Sequence, residues 1–240
     1  NVAQAQTYAA QAKDILIKDI NNTNDFDGAH SYNLAKLYDT YYKDPTQAEV
    51  WYRKSLESGN IKAAPSLVNV WQDYNLVEQN KSEIITLANL AAKQGDSRSM
   101  KLLARSYAEG VIVEKDLQTA IYWYEQKEQA ETSLPVSDTS LQLARLYQEL
   151  NNFEKAQEKY QYSASLGNDR AVVELAKMLV EINPSPVTNK QAFDMVMPIA
   201  LKNDETAMKY IADSYSDGRG VTQNYVVSKE WYQKIVGLHG

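Results

Sequence analysis

Along this chain a small residue is followed, three positions later, by an aromatic or large apolar one, and the pair recurs six times: Ala35/Tyr38, Val68/Trp71, Ala104/Tyr107, Ala144/Tyr147, Ala176/Leu179 and Ala212/Tyr215. The second members are 33, 36, 40, 32 and 36 residues apart. Each pair is followed by a second apolar block, starting at Ala48, Ile84, Ala120, Ala156, Ala192 and Ser228. Spacings of three and four residues place these positions on one face of a helix. The pattern therefore predicts six pairs of antiparallel helices, A and B, in which the small residue lets two backbones approach and the aromatic wedges between them. Gly59, Gly95, Gly167 and Asn203, each followed by Asn or Asp, are expected to close helix B in a left-handed turn and to start the next helix A.

The distance from the A anchor to the B anchor varies. It is 16 residues for Trp71/Leu87, Tyr107/Trp123, Leu179/Met195 and Tyr215/Trp231, but 13 for Tyr38/Trp51 and 12 for Tyr147/Lys159. A longer A–B loop is expected in the four units with the larger spacing. In "EGVIVEKD" (109–116) and "DGRGVTQN" (217–224) this loop carries glycines that could suggest a phosphate cradle. Phosphate loops need a preceding strand and a following Lys-Ser/Thr helix start. Neither is present, so Gly110 and Gly218 read as hinges, with Val113 and Val221 folding back as apolar plugs.

The stretches "LLARSYAEGVIVEKDLQTAIYWYEQ" and "YIADSYSDGRGVTQNYVVSKEWYQK" resemble Sel-one-like repeats, the longer-looped relatives of tetratricopeptide repeats. The resemblance runs from about Ser31 to the C-terminus. Units three and six carry the pattern well, units two and five in degenerate form, and units one and four have tetratricopeptide-like loop lengths. It implies an all-α fold, a right-handed α-solenoid superhelix of antiparallel helix pairs with about thirteen helices. Residues 1–30 form an N-terminal helix and loop, with Ala5, Ala9, Ala12, Ile15, Leu16 and Ile20 facing inward. Residues 31–240 hold six repeats, with a bend across 130–138 where Pro135 ends a helix. The C-terminal "VGLHG" lacks the polar cap that a repeat array needs, so a longer protein is expected.

Composition narrows the chemistry. The 240 residues carry a net charge of −6, which disfavours nucleic acid. No run of about 18 apolar residues is present, so no membrane-spanning segment is expected in this chain. There is no cysteine, and the two histidines, His30 and His239, have no neighbours at metal-ligand spacing. No cofactor or metal is expected. No nucleophile–base motif occurs, so an enzyme is not expected, and a hydrolase is the least favoured reading. Trp51, Trp71, Trp123 and Trp231 read as packing between repeats. Seventeen tyrosines against three phenylalanines suggest rings packed inside with hydroxyls at a wet edge.

One feature exceeds packing. In tetratricopeptide-like arrays the residue after the small anchor of helix A points into the concave groove. Here these residues are Lys36, Asn69, Arg105, Arg145, Lys177 and Asp213, with Lys101 and Lys209 one turn away. A solvated helix face accounts for such charges equally well. The functional alternative is a groove, formed by Lys36, Asn69, Lys101, Arg105, Arg145, Lys177 and Lys209, that binds acidic or extended protein segments. The expected function is thus a non-enzymatic protein–protein interaction scaffold. "YYKDPTQAEVWYRKSLESG" (41–59) is similar in style to the periplasmic scaffold lipoproteins of alginate-type exopolysaccharide export. That likeness implies a periplasmic or outer-membrane-associated scaffold, with a lipid anchor in a region preceding Asn1. The alternative is a cytoplasmic signalling or regulatory adaptor.

Overall fold

The computed structural model describes residues 2–23, 25–131 and 137–238. Among them are thirteen α-helices and no strand: α1 (Val2–Thr23), α2 (Ala29–Leu37), α3 (Pro45–Glu57), α4 (Ala63–Asp73), α5 (Val77–Lys93), α6 (Ser97–Glu109), α7 (Leu117–Ala130), α8 (Ser137–Glu149), α9 (Phe153–Ser165), α10 (Asp169–Ile182), α11 (Pro186–Ala200), α12 (Glu205–Asp217) and α13 (Tyr225–Gly237). One π-helical turn, Tyr38–Tyr42, prolongs α2. The chain forms two compact units, Asn1–Ala130 and Glu131–Gly240. Each is an α-solenoid stack in which a helix packs on the next one in sequence. Residues 132–136, with Pro135 and most of the expected bend, lie outside the described residues, as does His239.

The small anchors are what bring the helices together. Ala35, Val68, Ala104, Ala144, Ala176 and Ala212 are all buried, and so are their counterparts Ala48, Ile84, Ala120, Ala156, Ala192 and Ser228 on the B helices. With little side chain at the crossing, the helix axes can approach to the lower end of the usual 8–10 Å. Large side chains then fill the space on either side. In the first unit Trp71 is fully buried among Leu67, Ile84 and Leu87; in the second, Trp231 packs with Val196, Ile211 and Phe193. Trp123 is buried and Trp51 partly so, as packing requires.

The helix starts follow the sequence closely. Gly59, Gly95, Gly167 and Asn203 all have positive φ. The next residue caps the following helix in three cases: Asp96 accepts from Ser99 N, Asn168 from Ala171 N and Asp204 from Ala207 N. Such caps are worth about 1 kcal/mol each.

The A–B connections differ from expectation in two of four units. Gly110 and Gly218 end α6 and α12 at φ 69° and 70°, and the long loops follow. In units two and five the extra residues enter the helices instead, because α5 begins at Val77 and α11 at Pro186, leaving connectors of only three residues. No glycine interrupts either segment, so nothing stops helix B from starting early. All but the fifth unit nevertheless converge on one bond. The carbonyls of Tyr38, Trp71, Tyr107, Tyr147 and Tyr215 accept from the backbone N–H of Asp44, Leu76, Asp116, Asn152 and Asn224 at 2.7–3.0 Å. The A anchor thus fixes the start of helix B whatever the loop length.

In α1, Ala9 and Ile20 are buried and Ala12 and Leu16 partly so, but Ala5 is exposed and Ile15 is 59% exposed. A terminal helix with α2 as its neighbour covers only a narrow stripe, and both residues fall outside it.

Candidate functional site

The residue after each buried anchor is turned about 100° away from it around the helix, off the buried face. Lys36, Asn69, Arg105 and Lys177, which follow an anchor, and Lys101 and Lys209, which precede one by three residues, are exposed on A helices, whereas Arg145 and Asp213 are partly buried. The structure sorts them into separate groups. Asn69, Lys101 and Arg105 line one groove of about 360 Å³ between α4 and α6. Arg145 and Lys177 line another, wider one in the second unit. Lys36 and Lys209 line neither. Lys36 lies over the Tyr32 ring at 6.0 Å from its centroid, a weak cation–π contact at an exposed site.

The two grooves differ in charge balance. In the second unit, the Arg145 guanidinium donates through Nε to Glu174 Oε2 at 2.7 Å, and a second nitrogen bonds Glu174 Oε1. Both side chains are largely covered, 30% and 22% exposed. Arg170 donates to the same carboxylate at 3.0 Å, and the Tyr160 hydroxyl donates to Gln148 Oε1 at 2.8 Å and approaches Glu174 at 3.4 Å. Burial pushes the Glu174 carboxyl up, but its bonds to Arg145 and Arg170 outweigh this and hold it below its ordinary value. Burial, reinforced by the Glu174 charge, pushes the Tyr160 phenol well above its usual range. Arg145 is therefore committed to an internal network. Tyr160, with ring buried and hydroxyl at the groove, shows the tyrosine placement that the composition suggests.

In the first unit the groove keeps free charge. Arg98, Lys101 and Arg105 line it together with one carboxylate, Glu109. Arg105 Nε donates to Glu109 at 3.2 Å, with both side chains more than half exposed. An exposed pair of this kind is worth only about 0.2–1 kcal/mol. Arg98 lies 3.7 Å from Asp96. Lys101 makes no ion pair among the described residues. The rest of the lining is mainly apolar, with Val68 of α4, Val77 of α5, Leu102 of α6, and Val111 and Ile112 of the hinge loop, and Asn69, Gln72, Ser99 and Ser106 stand among them. The sequence reading missed Val111 and Ile112, singling out Val113 in the same loop; Ile112 packs against the core and Val221 does so in the second unit. It missed Glu174 as well, which sits 29 residues from Arg145. Asp213, the remaining groove position, accepts a hydrogen bond from the Tyr232 hydroxyl.

No group of three or more His, Asp or Glu residues suited to a metal occurs among the described residues, and no described helix is long and apolar enough to cross a membrane.

Three segments match the family model of the Sel1 repeat, residues 31–60, 97–126 and 205–235, so the chain contains Sel1 repeats. These are the first, third and sixth units, the first matching despite its short loop. No curated protein matches the chain. Among solved structures, a protective antigen of uropathogenic Escherichia coli strains displaying an SLR fold superposes with a TM-score of 0.69 and 21% identity, over 94% of this chain and 49% of that one. This chain thus spans about half the length of that relative. A Sel1 repeat protein from Oxalobacter formigenes gives a TM-score of 0.59 and 23% identity, over 99% of this chain and 100% of that one. The C-terminal part of a TPR repeat-containing protein from Cytophaga hutchinsonii gives 0.67 and 13%, over 98% and 92%. At these identities the likeness is one of fold.

Proposed function

From its Sel1 repeats and the free charge on its A helices, we propose that this chain is a non-enzymatic scaffold that holds segments of partner proteins against the exposed faces of those helices. Helical repeat solenoids of this kind typically serve as interaction scaffolds, offering extended binding surfaces on rigid elements. The observation that carries the reading is the groove between α4 and α6. There, Lys101 makes no ion pair among the described residues and stands in a mainly apolar groove, in a chain whose net charge is −6. Cations on rigid helices steer and orient acidic partners more than they add raw affinity. Nucleic acid does not suit the overall charge.

The setting we propose is a bacterial envelope complex for exopolysaccharide secretion, periplasmic or at the outer membrane, with a lipid anchor outside this chain. The repeat style of residues 41–59 supports it. Amide hydrogen exchange on the chain with its co-purified partner tests the scaffold reading. Protection is expected on the exposed faces of α2, α4, α6, α8, α10 and α12; protection confined to B helices, or none, overturns it. Fractionation of cells producing the native protein tests the setting, and a cytoplasmic pool would favour a regulatory adaptor.

A further inference from the structure

The hinge loop after α6 does more than connect two helices. Gly110 turns the chain at φ 69°, where an added Cβ would lie 3.1 Å from Lys115 Cβ, so the loop folds tightly back on itself. The Tyr107 carbonyl then receives the Asp116 N–H at 2.9 Å, and Asp116 in turn caps α7 through Gln118 N and Thr119 N. The loop is thus tied at both ends. Held this way, it places Val111 and Ile112 along one edge of the α4–α6 groove. Val111 is 59% exposed. A β-branched side chain left in water on a tied loop, beside the half-buried Leu102, gives the groove an exposed apolar edge.

The charges around this wall are one-sided. Arg98, Lys101 and Arg105 occupy positions spaced three and four residues apart on α6, so they follow one flank of the groove. Glu109 is the single acidic residue in the lining, and its pair with Arg105 is exposed and readily exchanged. The groove of the second unit has a different charge balance: Arg145 is neutralised by Glu174, and Glu149 and Glu181 leave Lys177 outnumbered by carboxylates.

We infer that the α4–α6 groove, walled by Val111 and Ile112 of the hinge loop, is the receptor for an acidic protein segment that inserts one large apolar side chain between the two helices. This rests on the scaffold reading and names the partner's chemistry at that site. The occupant carries a Leu- or Phe-sized residue against Val68, Leu102 and Val111, with carboxylates about one helical turn away to meet Lys101 and Arg105. The groove volume of about 360 Å³ lies at the small end of those that bury a ligand, enough for one such side chain and its neighbours but not for a folded domain.

The test uses the whole chain and fluorescent 15-residue peptides, read by anisotropy. One peptide carries a central Phe flanked by Glu, a second has Lys in place of Glu, and a third has Gly in place of Phe. The Glu–Phe peptide is expected to bind about tenfold or more tightly than either variant peptide, and to weaken as salt rises. Lys101→Glu and Val111→Asp, both at exposed positions that leave the fold intact by circular dichroism, should each weaken it about five- to tenfold. Lys177→Glu, at an exposed position of the second unit, should leave it within twofold. Equal binding of the three peptides, no binding, or sensitivity to Lys177 instead of Lys101 overturns the inference. The exchange footprint of a co-purified partner on the other A helices would then still stand, so the two failures are distinguishable.

Discussion

Gly220 lies in the loop between α12 and α13 at φ 74°, and a Cβ built there would stand 2.2 Å from the Asn189 carbonyl oxygen, 2.6 Å from its carbon and 3.0 Å from Lys190 N. These are backbone atoms in the first turns of α11 and cannot swing aside as a side-chain tip would. Gly167 and Gly218 lie in the same compact unit with φ of 88° and 70°, but the first has nothing within 4 Å and the second meets Gln223 Cβ at 3.3 Å, with backbone atoms no nearer than 3.6 Å. Substituting Ala at all three separates two costs. The left-handed backbone costs an L-residue about 1–2 kcal/mol. Reduced freedom of the unfolded chain returns about 0.4–1 kcal/mol. Gly167→Ala and Gly218→Ala should therefore lose about 1 kcal/mol. Gly220→Ala adds an overpacking cost of about 1–3 kcal/mol, for a total of about 2–4. Urea unfolding followed by circular dichroism reads the difference as a shift in midpoint at constant slope, about 1 M for about 2 kcal/mol. Hydrogen exchange should place the Gly220→Ala loss in α11, α12 and α13. If Gly220→Ala falls within about 0.5 kcal/mol of Gly167→Ala, the loop does not press on α11, and the close-approach argument fails.

Trp71→Ala removes a fully buried ring and the Nε1–H bond to Glu49 at 3.0 Å, and should cost about 3–5 kcal/mol in chemical denaturation; Tyr107→Ala, at a half-buried anchor, should cost less, and equal losses would contradict the burial pattern. Glu174 has a folded pKa below its ordinary 4.5, so its contribution is present above that value and is lost as pH falls through the folded one. Glu174→Gln should accordingly flatten the acid limb of the second unit's stability below about pH 4.5, and an unchanged acid limb would show that the Arg145–Glu174 pair does not stabilise the fold.

Sequence periodicity was enough to find the helix pairs because the constraint is local and repeated. A small residue at each of Ala35, Ala104, Ala144, Ala176 and Ala212 is required by helix approach, and the turn and cap residues Gly95-Asp96 and Gly167-Asn168 act within four positions of themselves. The same locality misled where chain length had two outlets. The four residues between the 12- and 16-residue spacings can lengthen either a loop or a helix, and only a glycine such as Gly110 or Gly218 decides for the loop.

The site was half legible. That Arg105 and Lys177 face outward from A helices follows from their place after a buried anchor, and Lys101 shares the face of Arg105 one turn earlier. Which of them remain available to a partner does not, because charge is cancelled through space. Arg105 and Glu109 are four apart and could be paired by inspection, whereas Arg145 meets Glu174 across two helices and 29 residues. The apolar wall at Val111 and Ile112 likewise exists only because the hinge folds the loop back over α4 and α6. Sequence alone determined the repeat, its buried anchors and its outward cations, since each depends on neighbours within one or two helical turns. Tertiary structure decided that Arg145 is neutralised and that Val111 and Ile112 edge the α4–α6 groove, because ion pairing and groove lining depend on residues that the packing of separate helices brings within a few ångströms.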